Sequence, residues 1–549
     1  MRVDRILNKQ NGKVYTSYLL RHAYRDDQGN TKHRTLLNLT KYPPDEVAAI
    51  ELALKMKNDL TQLTSIKSFQ HTVHQKIGAV YLLKEVAREL GIIKALGFGP
   101  KGKLILWQVL ARLIAPTSKL GCVRLARQHA ALEVLDLSGF CEDHLYLSLD
   151  WAATMQDKIE QRMIAQKGVD NLQMFLYDVT SSYLEGEQNE LAEYGYNRDG
   201  KKGKKQIVIG LLTDGEGDPV SVQVYQGNTS DTSTFQDQID KSCQRFGIRH
   251  VTFVGDKGMI KSDQQTALQD TQYHYITSIT KAQIKKLMAQ GTLQLSLFDE
   301  EIKEVITPEN IRYVYRRNPF RAEEIECNRQ QKQTKIEQFI KTQNQYLAEH
   351  PKADPQVALR KVKEKISKLK TTQWLKVEIT EPRVISLTVD QEALVKARQL
   401  DGCYVVKSDV SQKVATAEQL HDRYKELSKV EQAFKDCKTQ LLEVRPLFLR
   451  KAKRTKAHVF CVMLSYKINR YLEQCWKSVD MTVAEALEKL SAISVLQVEN
   501  AGRTHNIIPN GDEAAQELLR LANVQLPTTI KLRSDNVYTR KNISTARVA

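Results

Sequence analysis

Four short apolar runs in the middle of the chain, QMFLYD, QIVIGLLTD, PVSVQVYQG and HVTFVGD, limit the fold more than any other feature. Each has the length of a strand and is bounded by Gly, Asp or Pro, so each reads as a buried β-strand. Between the third and fourth lies DTSTFQDQIDKSCQRF, a helix with Asp231 placed as its cap. Three successive strands, a helix and a fourth strand predict a layered α/β core in the centre of the chain.

That core cannot be the whole protein. A chain of 549 residues exceeds what one hydrophobic core fills and predicts about three to five domains. Residues 1–65 are β-rich: GKVYTSYLLRHAYRDDQGNTKHRTLLNL reads as strand, Asp-Asp-Gln-Gly turn, strand. In 66–170 apolar positions recur at three and four, as in VYLLKEVARELGIIKAL and LILWQVLARLIA, which predicts a helical bundle. The core's first part then covers 171–280. Residues 281–400 read as a mixed α+β insertion. Its charged helical middle, about 321–370, is flanked by IRYVYRR and QWLKVEITEPRVISLTV, and its charge run reads as a solvated face. The second part of the core, 401–475, holds a strand, GCYVVKS, and two long helices over about 416–439 and 453–474. A smaller mixed region, 476–549, ends in a polar, basic tail.

Composition narrows the partners. The 82 basic and 65 acidic residues leave a net charge of +17, which favours a polyanion because neutralised phosphates release counterions. The eight cysteines form no CxxC pair, which argues against structural zinc and a disulfide framework and fits a reducing compartment. His71 and His74, three apart with no second pair nearby, read as surface residues. The first residues lack the apolar stretch of a signal peptide, and no uncharged run approaches the ~20 residues of a membrane span. A cytoplasmic, nucleoid-associated protein is expected.

Two of the strands end in aspartate, at Asp178 and Asp256, each the first polar group after several apolar positions. Carboxylates fixed at strand ends suit hard divalent cations, and two such cations about 4 Å apart can drive phosphodiester cleavage. A third carboxylate is Glu431 in YKELSKVEQAFKDCKTQL. Tyr424, Glu431 and Lys438 are seven residues apart, so on one continuous helix they share a face and lie about 10 Å apart along the axis. Flanked by Val430 and Phe434, Glu431 is expected on a buried-leaning face, where it would need a cation or an Arg.

This constellation resembles the DDE transposases of bacterial insertion sequences, in the branch with a β-rich insertion before the Glu and a Tyr, Arg, Glu, Lys signature helix. Tyr424, Glu431 and Lys438 fall at the matching places, and Leu427 stands where that Arg would be. Arg423, Lys425 and Lys429 are nearby substitutes that point to other faces. YDVTSSYLEGE is similar to the family's first-Asp block, FVGDKGM to the second, and VRPLFLRKAKRTKAHVFCVMLSYKI to the run after the Glu. Between the two Asp blocks, Gly227, Asn228 and Asp231 recur. The resemblance covers most of 104–475.

What it implies is an RNase H-like catalytic core interrupted by the insertion. Asp178 would bridge two Mg²⁺ ions, for which Mn²⁺ could substitute, with Asp256 and Glu431 each helping to hold one. Cleavage at the element's ends would free a 3′-hydroxyl that then attacks target DNA. The implied partners are double-stranded DNA (terminal inverted repeats and target) and a second copy of the chain on paired ends, with no membrane. The helical region would bind DNA ends or dimerise.

Two basic clusters suit backbone contacts: Arg198, Lys201, Lys202, Lys204 and Lys205 in a Gly-rich loop, and Arg445, Arg450, Lys451, Lys453, Arg454 and Lys456 after the Glu helix. Tyr424 and Lys438 are expected to grip phosphates beside the scissile bond. Trp374, in the insertion, is expected to offer a stacking surface to a distorted end. The rival readings are an RNase H-like nuclease that does not rejoin DNA and a decayed, non-catalytic DNA-binding relative. The intact Asp, Asp and Glu count against decay, and inverted repeats flanking the coding region would separate transposition from simple cutting.

Overall fold

Every residue of the strand Gln206–Asp214 is buried, because this strand is covered on both faces. Its side chains alternate between two cores, as a period of two requires. Ile207, Ile209 and Leu211 pack with Leu176, Val222 and Val224 and with Val459, Val462 and Met463 of the helix Ala452–Cys475. Val208 and Leu212 pack with Phe175, Tyr177 and Val220 and with Phe235 and Ile239 of the helix Asp231–Gln244. Gly210 leaves room for its neighbour: a Cβ there would lie 2.2 Å from the Tyr177 hydroxyl.

The computed structural model describes all residues except 11–12, 58–69, 169–171, 187, 202, 245, 249, 271–272, 295–297, 299–300, 382, 439–441, 443, 445–446, 501–502, 534–536 and 540–549. Its largest sheet has eight strands: β1 (Met174–Tyr183), β2 (Gln206–Asp214), β3 (Pro219–Gln226), β4 (Thr252–Gly255), β5 (His274–Ser278), β6 (Lys303–Ile306), β7 (Arg312–Arg317) and β8 (Cys403–Ser408). They lie in the order β6-β7-β8-β5-β4-β1-β2-β3. β4 runs parallel to both β1 and β5, and the other neighbours are antiparallel, so the sheet is mixed.

Two strands of this sheet differ from the expected layout. IRYVYRR, expected as a flank of the insertion, lies inside the sheet as β7, paired with β8. The physical reason is burial: Tyr313, Val314 and Tyr315 are almost fully enclosed. HYITS, a five-residue run with β-prone Tyr, Ile and Thr, forms β5 between β4 and β8. The insertion between β7 and β8 has its own core. Helices Pro319–Glu349 and Pro355–Lys368 pack Ile336, Ile340, Val362 and Ile366 against the hairpin Leu375–Glu381/Val384–Val389.

The helices Gly78–Glu89, Pro100–Ile114, Lys119–Gln128 and Glu142–Lys167 share one continuous core with the sheet face that carries Leu176 and Ile207. Ser465 on Ala452–Cys475 donates to the Val109 carbonyl at 3.0 Å and ties the two groups of helices together. Gln70–Lys76 is a strand, not part of a helix, and pairs with Ser494–Asn500 in a separate three-stranded sheet. At the N-terminus, strands Arg2–Gln10, Lys13–Arg25 and Thr31–Asn38 form an antiparallel sheet. Its turn places Gly29 at φ +81°, with Asp26 accepting from the amides of Gln28 and Asn30. No described helix is long and apolar enough to cross a membrane.

Candidate active site

β1 and β4 pair in parallel, from Met174 with Thr252 to Tyr177 with Gly255. One step further in the same register brings Asp178 level with Asp256. Leu176 and Val254, two residues earlier, face the core shared with the Ala452–Cys475 helix, so both aspartates lie on that face. β4 and β5 pair up to Gly255 with Thr277, and the next step sets Ser278 beside Asp256. Tyr424 donates its hydroxyl to Ser278 Oγ at 2.8 Å and thus anchors the segment before Glu431 to this end of the sheet.

The expected continuous helix over 416–439 is two helices, Ala417–Lys425 and Ser428–Lys438. At the break Leu427 is buried in the core, and Lys429 Nζ donates to the Gly215 carbonyl at 2.7 Å. Tyr424 therefore does not share a straight helix face with Glu431. Within the second helix Val430, Ala433 and Phe434 are buried and Glu431 is exposed, so it does not sit on a buried-leaning face. Leu427, at the signature's Arg position, packs as a core residue and offers no phosphate contact.

The three carboxylates act on one another's charge. Burial pushes the Asp178 carboxyl up to about 7, and the negative charges of Glu431 and Asp256 add to this. The Val179 amide, donating to Asp178 Oδ1 at 2.8 Å, and the Arg198 charge work the other way. Burial raises Tyr424 to about 12, opposed by its hydrogen bond to Ser278 and reinforced by Asp256, Glu431 and Asp178. Asp256 Oδ1 accepts from the Lys257 amide at 2.7 Å. Among the described residues, no Lys or Arg forms an ion pair with any of these three carboxylates. No three Asp, Glu, His or Cys side chains among the described residues stand close enough to grip a single ion. The donor set is all carboxylate, mutually repelling and unneutralised, and its chemistry fits hard divalent cations.

The remaining expected site residues divide between surface and structure. Lys438 does not face open solvent: its Nζ donates to Asp199 Oδ1 at 2.9 Å, and Asp199 is itself buried and accepts from the Tyr183 amide. Arg198 pairs with Asp231 and its amide donates to Ser181 Oγ. Lys201 lies over the Tyr183 ring, Lys205 over the Tyr194 ring, and Lys204 pairs with Glu185. Lys202 and Arg445 lie outside the described residues. In the second cluster Arg450, Lys451 and Lys453 are exposed. Arg454 is engaged by Asp150 through two hydrogen bonds of 2.9 Å and lies over the Tyr146 ring. Trp374 is 8% exposed in the insertion core, with Arg329 over its ring, and has no surface to offer a base. Sequence reasoning passed over Asp199, Ser278 and the Asp231–Arg198 pair, which join segments far apart in the chain. The only local signal was the NRDG turn that carries Asp199.

Comparison with known proteins gives two family matches. Residues 172–468 match the family described as "Transposase DDE domain", and residues 3–64 match "IS1634 family transposase, N-terminal domain". Among solved structures, one titled "Cryo-EM structure of piggyBac transposase synaptic complex with hairpin DNA (SNHP)" is similar with a TM-score of 0.34 and 9% identity. The likeness covers 75% of this chain and 76% of that one. No curated protein matches the sequence.

Proposed function

The chain belongs to the DDE transposase family of bacterial insertion sequences, and from that membership we propose that Asp178, Asp256 and Glu431 are its catalytic carboxylates. As a transposase it acts on DNA. The observation that carries the residue assignment is the shared register step of Asp178 and Asp256, with the Glu431 charge acting on Asp178. The order β3-β2-β1-β4-β5 within the sheet, with β2 antiparallel to β1, supports reading this portion as an RNase H-like core.

In this reading Asp178, Asp256 and Glu431 would together hold divalent cations, Mg²⁺ or Mn²⁺, with Asp178 level with Asp256 and sensing the Glu431 charge. When bound, such ions supply charge neutralisation at the phosphate and a stronger oxygen nucleophile. The chain's own residues arrange the rest. The aspartates are fixed by the strand pairing below them, and Glu431 is fixed by burial of Val430 and Phe434 on either side. Tyr424, tied to Ser278, holds the preceding helix against the strand ends. The exposed Lys201, Arg450, Lys451 and Lys453 and the half-buried Lys205 contact the DNA backbone. Two copies act on paired ends, and the helical region between 66 and 170 serves end binding or self-association.

The test uses the full chain and duplex DNA carrying the element's terminal inverted repeats, with Mg²⁺. Asp178→Asn, Asp256→Asn and Glu431→Gln each abolish cleavage and strand transfer, while DNA binding without metal holds or rises. Near-normal cleavage by any one variant removes that residue from the site.

A further inference from the structure

Tyr194 and Tyr196 are 62% and 81% exposed, yet the backbone that carries them is fixed. Between them Gly195 lies so close to the Gly227 backbone that a Cβ would stand 2.1 Å from the Gly227 oxygen. The buried Gln206 side chain donates to the Tyr196 carbonyl at 3.0 Å and the Gly227 carbonyl at 2.9 Å. Glu193 and Gln206 exchange backbone hydrogen bonds of 3.1 and 3.0 Å just before the first tyrosine. The segment is therefore clamped onto β2 and β3 while its two rings are held out to solvent. Neither ring joins any hydrophobic core among the described residues.

Each ring is paired with a cation. Lys205 Nζ lies 5.7 Å from the Tyr194 centroid, and the Arg198 guanidinium lies 5.4 Å from that of Tyr196. Arg198 also pairs with Asp231, and its amide donates at 3.0 Å to Ser181 Oγ on β1, three residues after Asp178, so the segment with the tyrosines lies near the carboxylate site. Flat apolar rings next to positive charge match the two parts of a nucleotide, its base and its phosphate.

We propose that Tyr194 and Tyr196 form a stacking platform for unpaired DNA bases beside the carboxylate site, with Arg198 and Lys205 meeting the adjoining phosphates. This rests on the DNA-cleaving reading above. A duplex hides its base faces, so the platform engages only an end whose strands have separated. The rigid backbone matters here, because rings already held in place lose little freedom when a base settles on them.

Fluorescence anisotropy with labelled dT20 and a labelled 20-bp duplex, using the full chain without metal, tests the platform. The double variant Tyr194→Ala/Tyr196→Ala binds dT20 roughly 5- to 100-fold more weakly than the parent, and its duplex affinity falls far less. Tyr194→Phe/Tyr196→Phe restores dT20 binding, because stacking needs the ring and not the hydroxyl. Unchanged dT20 binding by the alanine variant, equal losses on both DNAs, or failure of the phenylalanine variant to rescue each overturns the platform. A parent that binds the duplex but not dT20 also overturns it, and leaves the proposed function standing. A parent that binds neither DNA overturns both.

Discussion

Asp178 and Asp256 occupy the same register step on adjacent parallel strands, one residue past the last paired residues, Tyr177 and Gly255. Neighbouring strands lie about 4.8 Å apart, so the fold holds two carboxyl groups side by side whatever the solvent does. Repulsion built in this way is relieved by a proton or by a cation. Without metal it falls on Asp178, whose carboxyl is pushed up to about 7 by burial and by its two acidic neighbours.

Stability of the metal-free protein should follow that carboxyl. A group with a folded pKa above its unfolded value stabilises the fold below the unfolded pKa, near 4, and loses this contribution as pH climbs through about 7. Denaturant melts in EDTA should show the parent weakening between pH 4 and pH 7 relative to Asp178→Asn. At pH 8 the variant should be the more stable by something on the order of 1–3 kcal/mol. Superimposable pH profiles would sink the idea. Because a cation must displace the same proton, the Mg²⁺ midpoint for cleavage should rise as pH falls below about 7.

Lys438 should behave as a tether. Removing it takes one cation away from the enclosed Asp199 carboxylate, a loss of roughly 3–5 kcal/mol when such a pair is fully enclosed and less here, where the Lys side chain keeps 11% exposure. Lys438→Ala and Asp199→Asn should each destabilise the protein, and the double variant should be little worse than either single one. The salt slope of DNA binding should not change with Lys438→Ala. A slope shallower by about 0.9 would mean that Lys438 neutralises a phosphate after all.

The lysines of the first basic cluster should separate from Arg454 in one experiment. Lys201, Lys204 and Lys205 replaced together by Ala should make the log–log salt slope shallower by about 0.9 for each phosphate they neutralise in the parent, on any duplex sequence. Arg454→Ala should leave that slope alone and lower thermal stability, since it breaks the paired hydrogen bonds to Asp150 and the stacking on Tyr146. If the triple variant keeps the parent slope, the loop does not touch DNA.

Trp374→Ala should act through folding. It empties a large volume among Ile336, Ile366 and Leu375, and buried Trp→Ala changes cost about 3–5 kcal/mol. Limited proteolysis should cut the insertion of the variant first. A variant that melts like the parent would show that the ring is not part of that core.

The four strands that open the sheet were legible because each is a continuous apolar run, and the Asp at the end of two of them marked where burial stops. β5 was not, because HYITS is only five residues long and its neighbours β4 and β8 come from opposite sides of a long insertion. The break after Lys425 leaves no trace in composition: KEL contains good helix formers and neither Gly nor Pro. It is set by long-range contacts, the burial of Leu427 and the reach of Lys429 to Gly215. The carboxylates could be picked out singly, but Asp199 and Ser278, the partners that fix Lys438 and Tyr424, could not, since nothing local links residues 239 and 146 positions apart.

The position of β8 sets a timetable for the newborn chain. β1 to β5 are complete once residue 278 has left the ribosome, so both aspartates can take their places early. Glu431 follows 175 residues after Asp256, beyond the insertion and β8. At about 5–20 residues per second, translation of that stretch takes roughly 9–35 s. A nascent or truncated chain that stops before Glu431 thus carries both aspartates but lacks the third carboxylate of the proposed site, and with it the Ala452–Cys475 helix that covers this face of the sheet.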